Sequence, residues 1–588
     1  MRHTSRLAPP LVVLTLLALS PTATAETPIL SPLPGTLTAM PQSEISFLGA
    51  TARSLSAISV IGSSSGPHSG HLRSYSSAVG ASFKPSKPFK PGERVTVRAR
   101  WRNPDGHLST LRTSFTVATP VAVAQTQPPG SSGTLSDVQS FHSRADLEPP
   151  VVTVHQAATS ASAPGDIFAT PFQGPGQYGP MIFDNAGNLV WFDPLKRGQD
   201  AADFRTQIFH GKNDLTWWQG STLQMDYGLG EDVIANANYK TVDVVQAGNG
   251  LQADEHEFDV TPQGSAWIEA YSPVRASTVT AGGPASSVVI EGVIQEIDIH
   301  TGLVMWEWHS LGHVDPAESY SSLPALASTP YDYFHLNSLT VDDQGNLLIS
   351  ARNTWTLYEI DHRTGAVLWR LGGKKSTFKL GAGVPFAYQH DASWLPGGDI
   401  TVFDDEGAPS IDPPSRGEIL SIDRKTKTAT LIGQLARTGS PLSTDSQGDV
   451  QSLPHGNWMV GWGDLPNLSE FNAQGQLIYD AQLPAGENSF RIYREPWSGQ
   501  PSEAPAIAEV SSGAVNSVYA SWNGATTATS WQLLTGTNAA HMTAVSTTPW
   551  SSFETTVPAP GAAFYQVRAL SASGKVLGTS KVIPAGSS

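Results

Sequence analysis

Three histidines open closely similar stretches of this chain: His256 in "HEFDVTPQGSAWIEAY", His335 in "HLNSLTVDDQGNLLISAR" and His390 in "HDASWLPGGDITVFDD". A fourth such stretch, "DVQSLPHGNWMVGWG", begins with Asp449 instead. An imidazole with its ordinary pKa of about 6.5 is largely neutral at physiological pH, so it can serve as nucleophile, general acid or base, or metal ligand. Near them stand Asn337 and Arg352, the latter closing the stretch that His335 opens. A planar guanidinium fork suits a phosphate, sulfate or sulfonate group. The competing interpretation is structural: histidines at repeat positions can simply be hydrogen-bonded and hold adjacent units together.

What brings residues so far apart in sequence to one place is the repeat itself. Each stretch is an apolar strand, a glycine turn and a second apolar strand. A further hairpin follows, as in "EIDIHTGLVMW" at Glu296–Trp306 and "EIDHRTGAVLW" at Glu359–Trp369, and more loosely from Ser421 and Glu470. Two hairpins make a four-stranded sheet, the unit of a propeller blade, and blade-equivalent residues project toward one central channel. Weaker copies from Gly179 and Asn213 bring the count to six blades over residues 165–498. The turn glycines at 264, 345, 398 and 456 are unevenly spaced, and the long first interval predicts an insertion at Ser310–Phe334, a candidate lid over the channel.

The predicted fold class is all-β, a six-bladed β-propeller flanked by two sandwiches. Residues 26–120 contain the alternating run "ERVTVRARW", which predicts an N-terminal Ig-like β-sandwich. Residues 121–164, rich in Pro, Gly, Ser and Gln, predict a linker. Residues 503–588, with short alternating strands around Trp522, Trp531 and "FYQVRAL", look like a fibronectin type III domain. Residues 1–25 carry Arg2 and Arg6, then a short apolar run and Ala23-Thr24-Ala25, the pattern of a cleaved secretory signal. The expected location is therefore secreted or extracytoplasmic, with no later span long enough for a membrane helix.

Composition removes several kinds of chemistry. With 0 cysteines there are no disulfides, thiolate metal sites or cysteine nucleophiles. A net charge of -16, or -18 once Arg2 and Arg6 leave with the signal, argues against a nucleic-acid partner and makes Arg352 the natural anion-binding group. The acidic stretches "FDDEG", "HVDPAE" and "TGSPLSTDSQGD" lack the alternating spacing of a calcium loop and read as solvated turns.

The motifs "YFHLNSLTVDDQGNLLISARNTWTLYEIDHRTGAVLWRLGG" and "YQHDASWLPGGDITVFDDEG", supported by "HEFDVTPQGSAWIEAY" and "FRIYREPWSG", make residues 165–498 resemble the PAPS-independent bacterial arylsulfotransferases, also called aryl-sulfate sulfotransferases. The resemblance implies a propeller that moves a sulfuryl group from one small phenol to another through a sulfohistidine, without cofactor or metal. It places the nucleophile on His390, supporting acid/base roles on His256 and His335, and sulfuryl binding on Asn337 and Arg352. Aromatic walls for the phenols are sought among Trp355, Trp394, Tyr333 and Tyr388. Asp391 departs from the pattern, and a carboxylate there raises the imidazole pKa if it points inward.

Two other functions stay open at this stage. Three histidines with Asp449 could complete a divalent metal site, making the protein a metallo-enzyme. Alternatively, the propeller and its flanking modules form a non-catalytic binding protein at the cell surface. The oligomeric state and the identity of the phenols are not legible in the sequence.

Overall fold

The computed structural model describes residues 26–131, 133–512 and 515–586; the predicted signal at 1–25 lies outside them. The fold is all-β, with no α-helix among the described residues and only short 3-10 turns between strands.

The alternation in "ERVTVRARW" is realised directly. Arg94–Arg102 is a strand whose odd-numbered residues Val95, Val97, Ala99 and Trp101 are buried while the arginines face out. It belongs to one of two four-stranded sheets built from residues 29–116, which enclose Ile45, Phe47, Val95, Val97 and Phe115. At the other end, residues 506–584 form a three-stranded and a five-stranded sheet around Trp522, Trp531, Val557 and Tyr565.

Between them lie six sheets in sequence order, antiparallel except where Tyr331–Asp332 and Lys379–Leu380 add short parallel pairings to the third and fifth. The first contains Asp166–Ala169, Met181–Phe183 and Leu189–Phe192, and the second runs from Asp200–Phe209 to Thr241–Val245. The third holds Phe258–Val260, Ser265–Ala276, Ser287–Asp298 and Leu303–His309. The fourth spans Leu336–Val341 to Val367–Gly372, the fifth His390–Trp394 to Thr428–Leu435, and the sixth Asp449–Ser452 to Leu477–Gln482. Two strands come from outside this order. Tyr493–Glu495 returns to pair with Asp166–Ala169 in the first sheet, and Thr153–Gln156 pairs with Leu477–Gln482 in the sixth.

First strands of neighbouring sheets pack together: Asp200–Phe209 touches Phe258–Val260, Leu336–Val341 touches His390–Trp394, and His390–Trp394 touches Asp449–Ser452. Strands covered on both faces read as continuous apolar runs. Ser287–Asp298 accordingly is buried along its whole length, with Glu291 and Gln295 paired to buried partners.

Two sequence expectations need correction. The segment 121–164 is not merely a linker, because Thr153–Gln156 is a strand of the sixth sheet and Ser143 is tied to Glu554 by backbone and hydroxyl bonds at 2.6 Å. Composition could not reveal this, since the strand's partner lies more than 300 residues away. The long glycine interval also has two sources. Besides the Ser310–Phe334 segment, the Ser265–Ala276 and Ser287–Asp298 strands run to 12 residues each and extend the hairpin.

Candidate functional site

The three predicted histidines converge. One ring nitrogen from each of His256, His335 and His390 lies within 4.8 Å of the others, and all three side chains are buried, at 3%, 5% and 1% exposure. The rings of His256 and His335 meet edge to face at 5.2 Å, and Phe490 packs against His256 at 5.1 Å and His390 at 6.5 Å.

They do not share one register. His390 is the first residue of its strand and pairs with Phe403, whereas His256 and His335 precede Phe258–Val260 and Leu336–Val341. His335 takes a left-handed φ of 57°, as does Asp391 at 51°, and bulges interrupt both the Leu336/Ser338 and His390/Ser393 pairings. These kinks re-aim the rings toward a common point.

Each imidazole is oriented by its own carboxylate. Nδ1 of His335 bonds Asp332 at 2.5 Å, Nδ1 of His390 bonds Asp405 at 2.8 Å, and Nδ1 of His256 bonds Asp254 closely. Nε2 is therefore the nitrogen left on each ring. On His390 it faces the backbone N–H of Gln447 at 3.3 Å. Because that N–H can only donate, Nε2 carries the lone pair and Nδ1 carries the proton. Burial holds the His390 pKa well below 6.5, and the positive charge of Arg352 pushes it the same way. Burial also raises Asp405 well above the usual carboxylate range, so both shifts leave the His390 ring neutral.

Asp405 lies in "FDDEG", which is no solvated turn: Asp404 and Asp405 are fully buried and Glu406 nearly so. The condition set for Asp391, that its carboxylate point inward to His390, is not met. Its carboxylate accepts the Val450 N–H at 2.9 Å and sits 3.6 Å from Nε of Arg491, and the imidazole pKa moves down rather than up.

Arg352 reaches the site by a short path. Its N–H donates to the carbonyl of His335 at 2.8 Å, its guanidinium lies over the Tyr388 ring at 4.7 Å, and it donates to the Asp445 carbonyl at 2.9 Å. Asn337 is fully buried and donates to the carbonyl of Gln389, immediately before His390, at 2.8 Å, while its Oδ1 has no partner. Asp449 does not join the histidines; it accepts the Ile492 N–H at 2.9 Å.

Of the predicted aromatic walls, Tyr333 is sealed in the core with Tyr331 and Phe334, and Trp394 packs near Arg424 and Trp369. Trp355 and Tyr388 form a rim beside Arg352, and Tyr320 from the Ser310–Phe334 segment stacks on Trp355 at 3.7 Å. Besides Phe490, a second aromatic ring meets two of the histidines, and the sequence left it unmarked. Tyr271 lies 5.9 Å from His256 and 5.7 Å from His335, with Tyr227 stacked behind it at 5.0 Å.

Arg491 was also missed, although it lies within "FRIYREPWSG". This buried side chain bonds Asp203 at 3.1 Å, Glu257 at 3.0 Å and the Asn337 carbonyl at 3.3 Å. With Asp391 at 3.6 Å, it gathers groups from three sheets and from the segment just before a fourth. A single arginine in an unremarkable loop carries no sequence signal for such a role. Asp254 and Asp332 could have been suspected, since they stand two and three residues before their histidines.

A buried group of three neutral-capable imidazoles, each with a carboxylate behind it, defines a site for nucleophilic or acid–base chemistry. Residues 205–483, which contain all three, match the family model described as Arylsulfotransferase (ASST), which supports the resemblance to the arylsulfotransferases. The match supports arylsulfotransferase activity in general terms. No curated protein matches. Solved structures that align include a protein of unknown function from Bacteroides caccae, 12% identical over 56% of this chain and 98% of that one, with a TM-score of 0.34. Another is the dihydro-heme d1 dehydrogenase NirN in complex with DHE, 10% identical over 74% of this chain and 78% of that one, with a TM-score of 0.26. Likenesses at that level carry no argument about this site. No helix among the described residues is long and apolar enough to cross a membrane.

Proposed function

We propose that this protein transfers a sulfuryl group from an aryl sulfate to a phenolic acceptor through a sulfohistidine on His390. The observation that carries the reading is the state of that ring: buried, neutral, with Nδ1–H held by Asp405 and the Nε2 lone pair directed into the cluster. In the first half-reaction Nε2 forms a bond to sulfur while the bond from sulfur to the phenolic oxygen breaks, and the departing phenolate takes a proton from His256 or His335. In the second, that imidazole accepts the acceptor phenol's proton, the phenol oxygen bonds to sulfur, and the N–S bond returns its electron pair to Nε2. Arg352 supplies positive charge near the sulfuryl oxygens, with Asn337 holding the backbone before His390.

The six consecutive sheets, the first completed at its inner edge by Tyr493–Glu495 and the sixth extended by Thr153–Gln156, support closure as a six-bladed propeller with the histidines at its axis. Residues 26–120 and 503–588 are then flanking sandwich domains. Export through a signal at 1–25 completes the proposal; a mature protein whose N-terminus still included Met1 would contradict it.

Incubation with an aryl sulfate in the absence of phenol tests the central claim by intact mass. One added SO3 group, mapped to His390 and discharged by phenol, is expected; an adduct elsewhere, or none with turnover absent, overturns it. A His390→Ala variant separates this from a binding protein, because only transfer should vanish.

A further inference from the structure

We propose that the three imidazoles also form a binding site for a divalent transition-metal cation of the zinc class, which competes with the sulfuryl group for the same nitrogens. The inference goes beyond the sulfotransferase reading, and no step of that reaction depends on it.

The starting point is an excess of order. Transfer through one nucleophile needs one oriented ring, which His390 and Asp405 provide, and one acid/base partner. Here every ring is anchored: His256 by Asp254, His335 by Asp332, His390 by Asp405. A carboxylate on Nδ1 fixes the tautomer, aims Nε2 and raises its basicity, which is how ligating histidines are prepared for a metal. The three anchors come from separate segments of the chain, and one nitrogen from each ring lies within 4.8 Å of the others. Neutral imidazoles with no thiolate and no oxygen cage suit zinc, copper, nickel or cobalt better than calcium or magnesium.

Charge favours the same ligand. Asp254 and Asp405 are fully buried behind their rings and Asp332 is largely so. A dication at the nitrogens would be attracted by the carboxylates of Asp254 and Asp332. Two cations oppose it: Arg352, which lies over Tyr388 and donates to the Asp445 carbonyl, and Arg491, which is paired with Asp203 and Glu257.

Bonds of about 2.0–2.1 Å to each nitrogen require the rings to close by roughly an ångström about their carboxylate hinges. The cation would also displace the long Gln447 N–H contact from His390. Asp449, whose Oδ1 takes the Ile492 N–H, does not bring a ligand atom within 4.8 Å of the three nitrogens. Gln447 has a buried, unpartnered Oε1 on the residue whose amide already touches His390, and water is the alternative. Three protein nitrogens with an open fourth position result.

The test uses untagged protein treated with a chelator and titrated with Zn2+ by calorimetry, and with Co2+ by visible absorption. One equivalent bound at micromolar Kd or tighter is expected, weakened at least about 100-fold in His335→Ala and roughly 10- to 100-fold in Asp332→Asn. Zn2+ should also protect His390 from the sulfuryl adduct. Should a variant fail to fold, zinc-edge X-ray absorption of the unsubstituted protein decides: three imidazole nitrogens at about 2.0–2.1 Å support the site. Fewer than two imidazoles, binding weaker than roughly 100 µM, or binding unchanged in His335→Ala would overturn it. Adduct formation in the metal-free protein is measured separately, so either proposal can fail while the other stands.

Discussion

The backbone N–H of Gln447 points at Nε2 of His390 from 3.3 Å and so determines which nitrogen of that ring holds the lone pair. Gln447 itself sits at a left-handed φ of 69°, held between Asp445, whose carbonyl takes Arg352, and Gly448. The Asp445–Gly448 segment thus couples the proposed nucleophile to the proposed anion-binding group. A sulfuryl group approaching Nε2 meets an amide already placed to donate to one of its oxygens.

The depressed pKa of His390 has a direct kinetic consequence. Its nucleophilic form persists below pH 6.5, so the acid limb of kcat/KM for the aryl sulfate should fall below that value. Removing a positive charge in Arg352→Gln raises the limb toward 6.5 while lowering kcat/KM. A pH profile of both proteins checks this, and an acid limb unmoved by the substitution contradicts it.

Asp405 holds the ring in its reactive tautomer. Asp405→Asn keeps the shape but offers an amide that can donate to Nδ1 and drive the proton to Nε2. We expect kcat to drop by about 10²–10⁴ with little change in melting temperature. Steady-state rates alongside thermal melts separate this from simple unfolding.

Arg491 compensates Asp203, Glu257 and Asp391 at the meeting point of the sheets. Arg491→Met leaves Asp391 without a cation and Asp203 and Glu257 with Arg205 alone, and breaking a buried cluster from one side costs about 3–5 kcal/mol. Urea denaturation should register that loss as a lower midpoint. Restoring stability by adding Glu257→Gln would show that the stranded charge, rather than lost packing, is the cause.

Buried acids give the protein a pH signature of its own. Burial raises the Glu487 carboxyl to about 9, far above its unfolded value near 4.5. The folded state then binds the extra proton, so this group's contribution is full below about pH 4.5 and is lost as pH rises toward 9. Glu487→Gln should flatten that decline, leaving the variant relatively more stable at pH 8 than at pH 5. Melting temperatures across the range would contradict the assignment if both proteins kept the same slope.

Much of this site was legible in the sequence because a repeat converts distance along the chain into position in space. His256, His335 and His390 were found that way, and the glycine turns with their alternating strands announced an all-β chain. Local pattern also located the strand Arg94–Arg102 and the hairpins after each histidine.

What the chain alone could not disclose depends on non-local partners. Only the folded structure decided that Asp405 leaves an apparent surface turn to back His390, that Asp391 turns instead to Arg491, and that Asp449 stays with Ile492. It alone brought Arg491 from the far end to Asp203, Glu257 and Asn337, and converted Thr153–Gln156 from linker to strand. Sequence spacing determines which residues a repeat presents; bulges, left-handed residues and the pairing of buried charges determine where each side chain finally points.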